Sequence, residues 1–312
     1  MMVSFFHTNT CSEKGKWSMF AGIYTAMATP VSDNQKIDLT GLPALVQFQE
    51  KAGVHGLFVG GTGGEGILFT LQERLALLET VMQVKKAQTG IIVHCSAFHP
   101  AETVVLMRQA AELGADAVAL LPPGYYSPLD EEAVYQYYQR MCAESSLPVM
   151  IYHLPAYSHF RISFRLFERL MTIENLVGIK DSSGDILQLF NYSQHPARPI
   201  AFVGQDQAIL AALLNGVPGV ISAPANLMPK VYTNLYDASQ RNDMPAASLY
   251  QQRVNLMLRH VFKFPFIPAI KQVLQWLDLP AGPAKFPDRS LSLNEQKTLK
   301  AGLTEIGFFD WQ

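Results

Sequence analysis

Eight short apolar runs, each followed by a stretch with helical periodicity, constrain the fold of this chain more than any other feature. They fall at residues 23–28, 56–59, 91–94, 117–121, 149–152, 177–179, 201–203 and 219–221. Between them lie amphipathic stretches such as 71–87, 101–113, 131–142 and 206–215. The punctuation fits helices. Thr70 stands before Leu71 with Glu73 three residues on, Pro100 opens the next segment, and Gly53, Gly114 and Gly216 close others. Strand–helix units repeated in this way predict an all-parallel sheet closed into a (β/α)8 barrel. A doubly wound open sheet is the alternative, but it needs helices on two faces and usually has fewer strands. Further helical patterns near 246–261, 266–277 and 294–306 predict a C-terminal helical appendage packed on the barrel. The expected organisation is an N-terminal extension over 1–20 and a single barrel domain over 21–312, its C-terminal helices starting at about 230.

Composition removes several function classes. Lys plus Arg is 24 and Asp plus Glu is 26, a net charge of −2, so there is no basic field for nucleic acid or an anionic membrane. The apolar runs are far too short to span a bilayer. The three cysteines, Cys11, Cys95 and Cys142, are odd in number and form no C-x-x-C pair. A reduced, cytoplasmic protein without structural zinc is expected. The first twenty residues mix His7, Glu13, Lys14 and Lys16 with Phe5, Phe6 and Trp17, which suits neither a signal peptide nor an anchor.

In a barrel, chemistry belongs to the C-terminal ends of the strands and the loops after them. The run Gly60-Gly61-Thr62-Gly63-Gly64-Glu65-Gly66 follows the second predicted strand. Gly61 to Gly66 satisfies G-x-G-x-x-G, yet the next strand ends His94-Cys95-Ser96 without the acidic residue that holds a ribose. A loop of backbone N–H groups for a small carboxylate, with the Thr62 hydroxyl pointing inward, is the better reading. A glycine-rich turn without a ligand is the plain alternative. Lys180 follows the apolar run of the sixth strand. A lysine in the mouth of a barrel is partly desolvated, which lowers its pKa and frees a neutral amine to attack a ketone. The plain alternative is a solvated Lys180–Asp181 pair. Tyr152 ends the fifth strand beside it, where a phenol can shuttle protons; alone, it reads as a core tyrosine. His153 is expected to face outward by strand alternation and, like His94 and His99, to be structural. Tyr125 and Tyr126 close the fourth strand after Pro122-Pro123-Gly124 and suit loop packing or an interface.

Together these segments resemble the dihydrodipicolinate synthase/N-acetylneuraminate lyase family of pyruvate-dependent class I aldolases, over roughly residues 22–308. The family's G-[TS]-x-G-E loop is matched by Gly61-Thr62-Gly63-Gly64-Glu65 and its Y-x-x-P by Tyr152-His153-Leu154-Pro155. Its G-I-K-[DE] is matched by Gly178-Ile179-Lys180-Asp181, and Gly219 to Asn226 looks like its eighth-strand signature. The resemblance implies that Lys180 forms a pyruvate imine without metal or organic cofactor, that Tyr152 is the acid/base, and that Thr62 with the backbone around Gly61 and Gly63 holds the keto-acid carboxylate. It places Ile221 and Tyr157 against the substrate and Asp206 on the hydroxyls of a longer substrate, although an N-cap role for Asp206 is equally open. It also implies a homotetramer in which Tyr126, or Tyr125, reaches a neighbouring site.

Two departures guide substrate choice. True dihydrodipicolinate synthases carry a second threonine where Gly63 stands, and an arginine for the carboxylate of aspartate semialdehyde where Tyr157 stands. The Thr-Gly-Gly-Glu form is similar to that of 2-keto-3-deoxy sugar-acid aldolases, whose hydroxylated chains Tyr157, Ser158 and Asp206 would suit. The expected function is a Schiff-base lyase, aldolase or dehydratase, that releases or uses pyruvate with a small aldehyde or 2-keto acid. The alternatives are 4-hydroxy-tetrahydrodipicolinate synthase, a non-catalytic keto-acid-binding barrel, and an NAD-linked enzyme. Binding alone needs neither Lys180 nor Tyr152, which argues against the second of these.

Overall fold

Eight parallel strands, each hydrogen-bonded to the next in sequence order and the last to the first, close into a barrel. They are β1 (Gly22–Ala26), β2 (Gly56–Val59), β3 (Gly90–His94), β4 (Ala117–Leu120), β5 (Val149–His153), β6 (Leu176–Asp181), β7 (Ile200–Val203) and β8 (Gly219–Ser222). The structure, a computed structural model, describes residues 20–124 and 129–311. Every predicted apolar run coincides with a strand, within a residue or two at its ends. The extension expected over 1–20 falls, apart from Phe20, outside the described residues, as does Cys11.

Helices alternate with the strands around the outside. They are α1 (Leu42–Lys51), α2 (Leu71–Val84), α3 (Pro100–Glu112), α4 (Glu131–Glu144), the single turn α5 (Pro155–Ser158), α6 (Phe164–Leu170), α7 (Ile186–Ser193), α8 (Ile209–Leu214) and α9 (Pro229–Gln240). The cap chemistry read from the sequence is in place. Thr70 and Glu73 form a reciprocal capping box at the start of α2, and Gly53, Gly114 and Gly216 adopt positive φ just beyond α1, α3 and α8. The stretch 206–215 is not one helix: a 3-10 turn, Asp206–Ala208, precedes α8. The appendage consists of α10 (Met244–Val261), α11 (Phe266–Trp276) and α12 (Leu293–Glu305). Their buried Val254, Met257, Ile270, Leu299 and Leu303 join the same apolar cluster as the outward faces of the strands.

Strand alternation divides the interior in two. Outward residues such as Ile91, Val118, Ile151 and Ile179 pack beneath the helices, while Tyr24, Phe58, Ile92, Met150, Phe202 and Ile221 fill the barrel lumen. The floor is closed by Tyr24, edge-on to Phe202 with ring centroids 5.3 Å apart. Gly56 makes room for it, since a Cβ there would lie 2.1 Å from the Tyr24 ring. The lumen is thus solid at the bottom, and the polar residues gather at the opposite rim. Among the described residues no helix is long and apolar enough to cross a membrane, and no group of three or more His, Cys, Asp or Glu could hold a metal ion.

Candidate active site

Lys180 and Tyr152 stand opposite each other on neighbouring strands, paired in register on β6 and β5. Both share the inward parity, so both side chains enter the lumen near its C-terminal rim. The Lys180 Nζ lies 4.0 Å from the Tyr152 ring centroid and 4.3 Å from that of Phe58 on β2. Lys180 is only 4 % exposed. Burial between two rings disfavours the ammonium and lowers its pKa from 10.5 to about 7, with the Asp206 carboxylate acting in the opposite direction. The solvated Lys–Asp alternative does not describe this pair. Asp181 points outward, where it meets His153 instead: His153 Nδ1 lies 3.0 Å from Asp181 Oδ1, and Ile162 N donates to His153 Nε2 at 3.1 Å. The second contact leaves Nε2 as the acceptor, so Nδ1 carries the proton toward Asp181.

Tyr152 OH is 3.1 Å from Thr62 Oγ1, which joins the glycine loop to the strand pair. Burial pushes the Tyr152 phenol up to about 12, with the Thr62 hydrogen bonds opposing it. The loop forms two 3-10 turns, Thr62–Gly64 and Gly66–Leu68, joined at Glu65. Its Gly64 and Gly66 amides donate to the Gly61 carbonyl and its Glu65 amide to Thr62, so those donors are consumed inside the loop. The loop also ends before α2 begins at Leu71 and does not present a helix N-terminus to a pyrophosphate, which removes the structural basis of a dinucleotide fingerprint. Gly63 is required by packing: a Cβ there would lie 2.5 Å from the Ala223 Cβ and 3.1 Å from the Ala26 carbonyl. The space a second threonine would need is occupied by Ala223.

The remaining candidates are placed unevenly. Ile221 lies in the lumen on β8. Asp206 is buried, and its Oδ1 accepts from Ser222 Oγ and, at 2.8 Å, from Tyr232 OH. The N-cap alternative fails, because Gln205 holds the cap position of that turn and no side chain makes a cap bond. Burial raises the Asp206 pKa, while the two hydroxyls and Lys180 work against that rise. Tyr157 is 63 % exposed on α5, just beyond the strand that carries Tyr152. Ser158 corrects the sequence expectation. It is buried, and its hydroxyl donates to the carbonyls of Leu154 and Phe160 at 3.2 and 3.3 Å, so it does not face a substrate. Tyr125 and Tyr126 lie outside the described residues.

Two further neighbours line the pair, and only Phe58 among them escaped the sequence reading. Phe58 supplies half of the apolar cover of Lys180, and its inward parity on β2 was the available signal. His94, expected to be structural, lies edge-on to the Tyr152 ring at 5.4 Å with Nδ1 2.9 Å from the Gly60 carbonyl. Burial, with Arg74 nearby, lowers its pKa to about 3, so it stands neutral in the site wall. Arg74 on α2 fixes that wall by donating to the carbonyls of Ser96 and His94 at 2.8 and 2.5 Å.

A buried lysine of lowered pKa beside a tyrosine, at the C-terminal rim of a (β/α)8 barrel, defines an enzyme of the class I aldolase type, a lyase. The profile of the Dihydrodipicolinate synthetase family matches residues 19–306, and the chain belongs to that family. Among relatives, it is 29% identical over 285 residues to an N-acetylneuraminate lyase of Rhizobium meliloti, covering 91% of this chain and 95% of that one. It is likewise 29% identical over 286 residues to a 4-hydroxy-tetrahydrodipicolinate synthase of Moorella thermoacetica, covering 91% and 98%. Among solved structures, the sialic acid aldolase of Ruminococcus gnavus superposes with a TM-score of 0.88 at 25% identity, over 93% of this chain and 98% of that one.

Proposed function

We propose that the protein makes or breaks a C–C bond, or eliminates water, on a 2-keto acid through an imine at Lys180. The observation that carries this reading is the Lys180 amine, buried between the Phe58 and Tyr152 rings with its pKa lowered to about 7. A substantial share of it is neutral and nucleophilic at neutral pH. The keto-acid carboxylate would be held by the Thr62 hydroxyl and the Gly63 amide, which the turn's own backbone bonds do not engage, whereas the Thr62 amide is directed at the Tyr152 oxygen.

Protons balance through Tyr152. The amine adds to the C2 carbonyl, and the resulting carbinolamine loses its oxygen as water when the phenol protonates it, leaving an iminium and a phenolate. The new cation beside the ring stabilises that phenolate, which a neutral lysine does not. The phenolate takes the C4 hydroxyl proton, the C3–C4 bond breaks, and its electron pair passes into the iminium to give an enamine and an aldehyde. The regained phenol proton then goes to C3. Water adds to the pyruvate iminium, surrendering a proton to the phenolate, and pyruvate leaves with the amine restored. Neither a metal nor an organic cofactor enters this cycle.

For the aldehyde half, the hydroxyaldehyde portion of a 2-keto-3-deoxy sugar acid fits better than aspartate semialdehyde. The semialdehyde brings a second carboxylate, and leaving one unpaired beside an apolar ring costs several kcal/mol. Tyr157 offers a neutral OH where a charged fork would be needed. The cytoplasm and a homotetramer, with Tyr125 or Tyr126 reaching a neighbour's site, complete the proposal. The direct test is incubation with pyruvate and borohydride. One reduced adduct per chain at Lys180 is expected, and an unmodified mass, or an adduct that survives in Lys180→Ala, rejects the mechanism. A screen of 2-keto-3-deoxy acids with pyruvate release as readout tests the substrate class. Tyr157→Arg should shift the balance toward the semialdehyde. Condensation by the unmodified enzyme with kcat/KM of about 10⁴ M⁻¹s⁻¹ or more overturns the preference.

A further inference from the structure

The joint between the two turns of the glycine loop is a non-glycine residue in the left-handed region: Glu65, at φ 56 and ψ 22. Such a conformation is uncommon for a residue with a Cβ and persists where the surroundings over-determine it. Its side chain does not face the barrel mouth. It turns away from Thr62 into the interior and reaches the C-terminal appendage. Glu65 Oε2 pairs with Lys271 Nζ on α11 at 2.5 Å, with side chains 3 % and 2 % exposed. Glu65 Oε1 accepts from the Lys285 amide at 2.5 Å, and Lys271 Nζ donates to the Pro283 carbonyl at 2.8 Å. One carboxylate therefore ties the loop both to α11 and to the strap of chain that follows it.

Nothing in the reaction cycle uses either charge. Burying two ions is expensive even when they are paired, and an apolar pair of similar volume would often be as stable or more so. A role in holding geometry accounts for the pair better than stability does. The geometry in question is that of Thr62 and its neighbouring amides, three residues away on a turn that is also tied by the Thr29 hydroxyl on the Gly64 carbonyl at 2.7 Å and by Tyr152 OH, 3.1 Å from Thr62 Oγ1. We infer that Glu65 and Lys271 are positioning residues, through which the C-terminal appendage holds the carboxylate-binding loop in register with Lys180 and Tyr152. The inference rests on the imine reading above for what the loop does, and on the ion pair for how it is held.

The test uses the full chain with Glu65→Gln, the neutral double variant Glu65→Gln/Lys271→Met, and each combined with Thr62→Val. Unfolding temperature is followed by circular dichroism, and the pyruvate concentration that half-saturates reductive trapping at Lys180 is followed by intact mass. Glu65→Gln should lose stability, because it leaves Lys271 buried alone, and the double variant should recover it. Half-saturation is expected to rise at least tenfold in both. Thr62→Val should then add much less in the Glu65→Gln background than it does alone, because both act on one element. If half-saturation in the double variant returns to within threefold of wild type along with stability, the pair is merely structural and the inference is overturned. Equal effects of Thr62→Val in the two backgrounds overturn it as well. Amide hydrogen exchange of residues 60–66 provides a readout independent of chemistry. It should accelerate at least tenfold in the double variant while β5 and β6 stay protected, and unchanged exchange overturns the inference. A wild-type protein that traps no pyruvate rejects the imine reading, and the exchange arm still decides this one.

Discussion

The most exposed consequence of the site is the pH dependence of imine formation. Burial holds the Lys180 pKa at about 7 instead of 10.5. At pH 7 about half of the amines are then neutral, against roughly 3 in 10⁴ for an ordinary lysine, an enrichment of about 10³ in the reactive form. Only the neutral amine adds to the ketone. The initial rate of trapping at low pyruvate and saturating cyanoborohydride should therefore fall about tenfold per pH unit well below 7, and level off above about pH 8. Intact mass at timed intervals, with Lys180→Ala as the blank, measures it. Asp206 supplies a second handle, because its charge raises the lysine pKa against the effect of burial. Asp206→Asn keeps an oxygen for Ser222 and Tyr232 but removes that charge, so the midpoint should move to lower pH. A trapping rate that still climbs between pH 8 and 10 would refute the reasoning, since it would mean the amine is solvated as an ordinary lysine is.

Tyr152→Phe keeps the ring against Lys180 and deletes the proton carrier; kcat should fall by roughly 10²–10⁴ while trapping persists in weakened form, and an unchanged kcat makes Tyr152 structural. Lys180→Met should stabilise the fold. The folded pKa lies below the unfolded value, so burial of the amine costs stability that grows as pH falls from 10.5 to about 7. The gain should be larger at pH 7 than at pH 10.5 by about 4 kcal/mol, as urea unfolding at the two pH values will show. Gly63→Thr should lower pyruvate affinity instead of creating semialdehyde activity, because its Cβ meets Ala223 at 2.5 Å. If condensation rises in that variant, the loop is looser than the packing indicates.

How much of this was legible beforehand follows from the range over which each cause acts. The eight strands, the capping box at Thr70 and the glycines that end helices depend on neighbours within a few residues, and those were readable. So was the partnership of Lys180 and Tyr152, since a period of two and adjacent strands bring them to the same rim. The 3-10 turn at Asp206 was not readable. Its backbone follows from where Asp206 must sit to meet Ser222 and Tyr232, residues on other elements. Ser158 misled for the same reason. A serine after a strand reads as a polar donor at the rim, yet α5 turns its hydroxyl back onto the chain's own carbonyls.

The sequence by itself thus determined the architecture and the meeting of Lys180 and Tyr152 at one rim, because hydrophobic period and strand parity are local properties of the chain. Tertiary structure alone decided the environment that gives the pair its chemistry. The lowered pKa of Lys180 requires the Phe58 ring from the opposite part of the barrel wall, and desolvation is a property of what surrounds a group. The absence of a side chain at Gly63 is explained by Ala223, and the setting of the glycine loop by a lysine on α11. These contacts join residues far apart along the chain, and only the closed barrel brings them within reach.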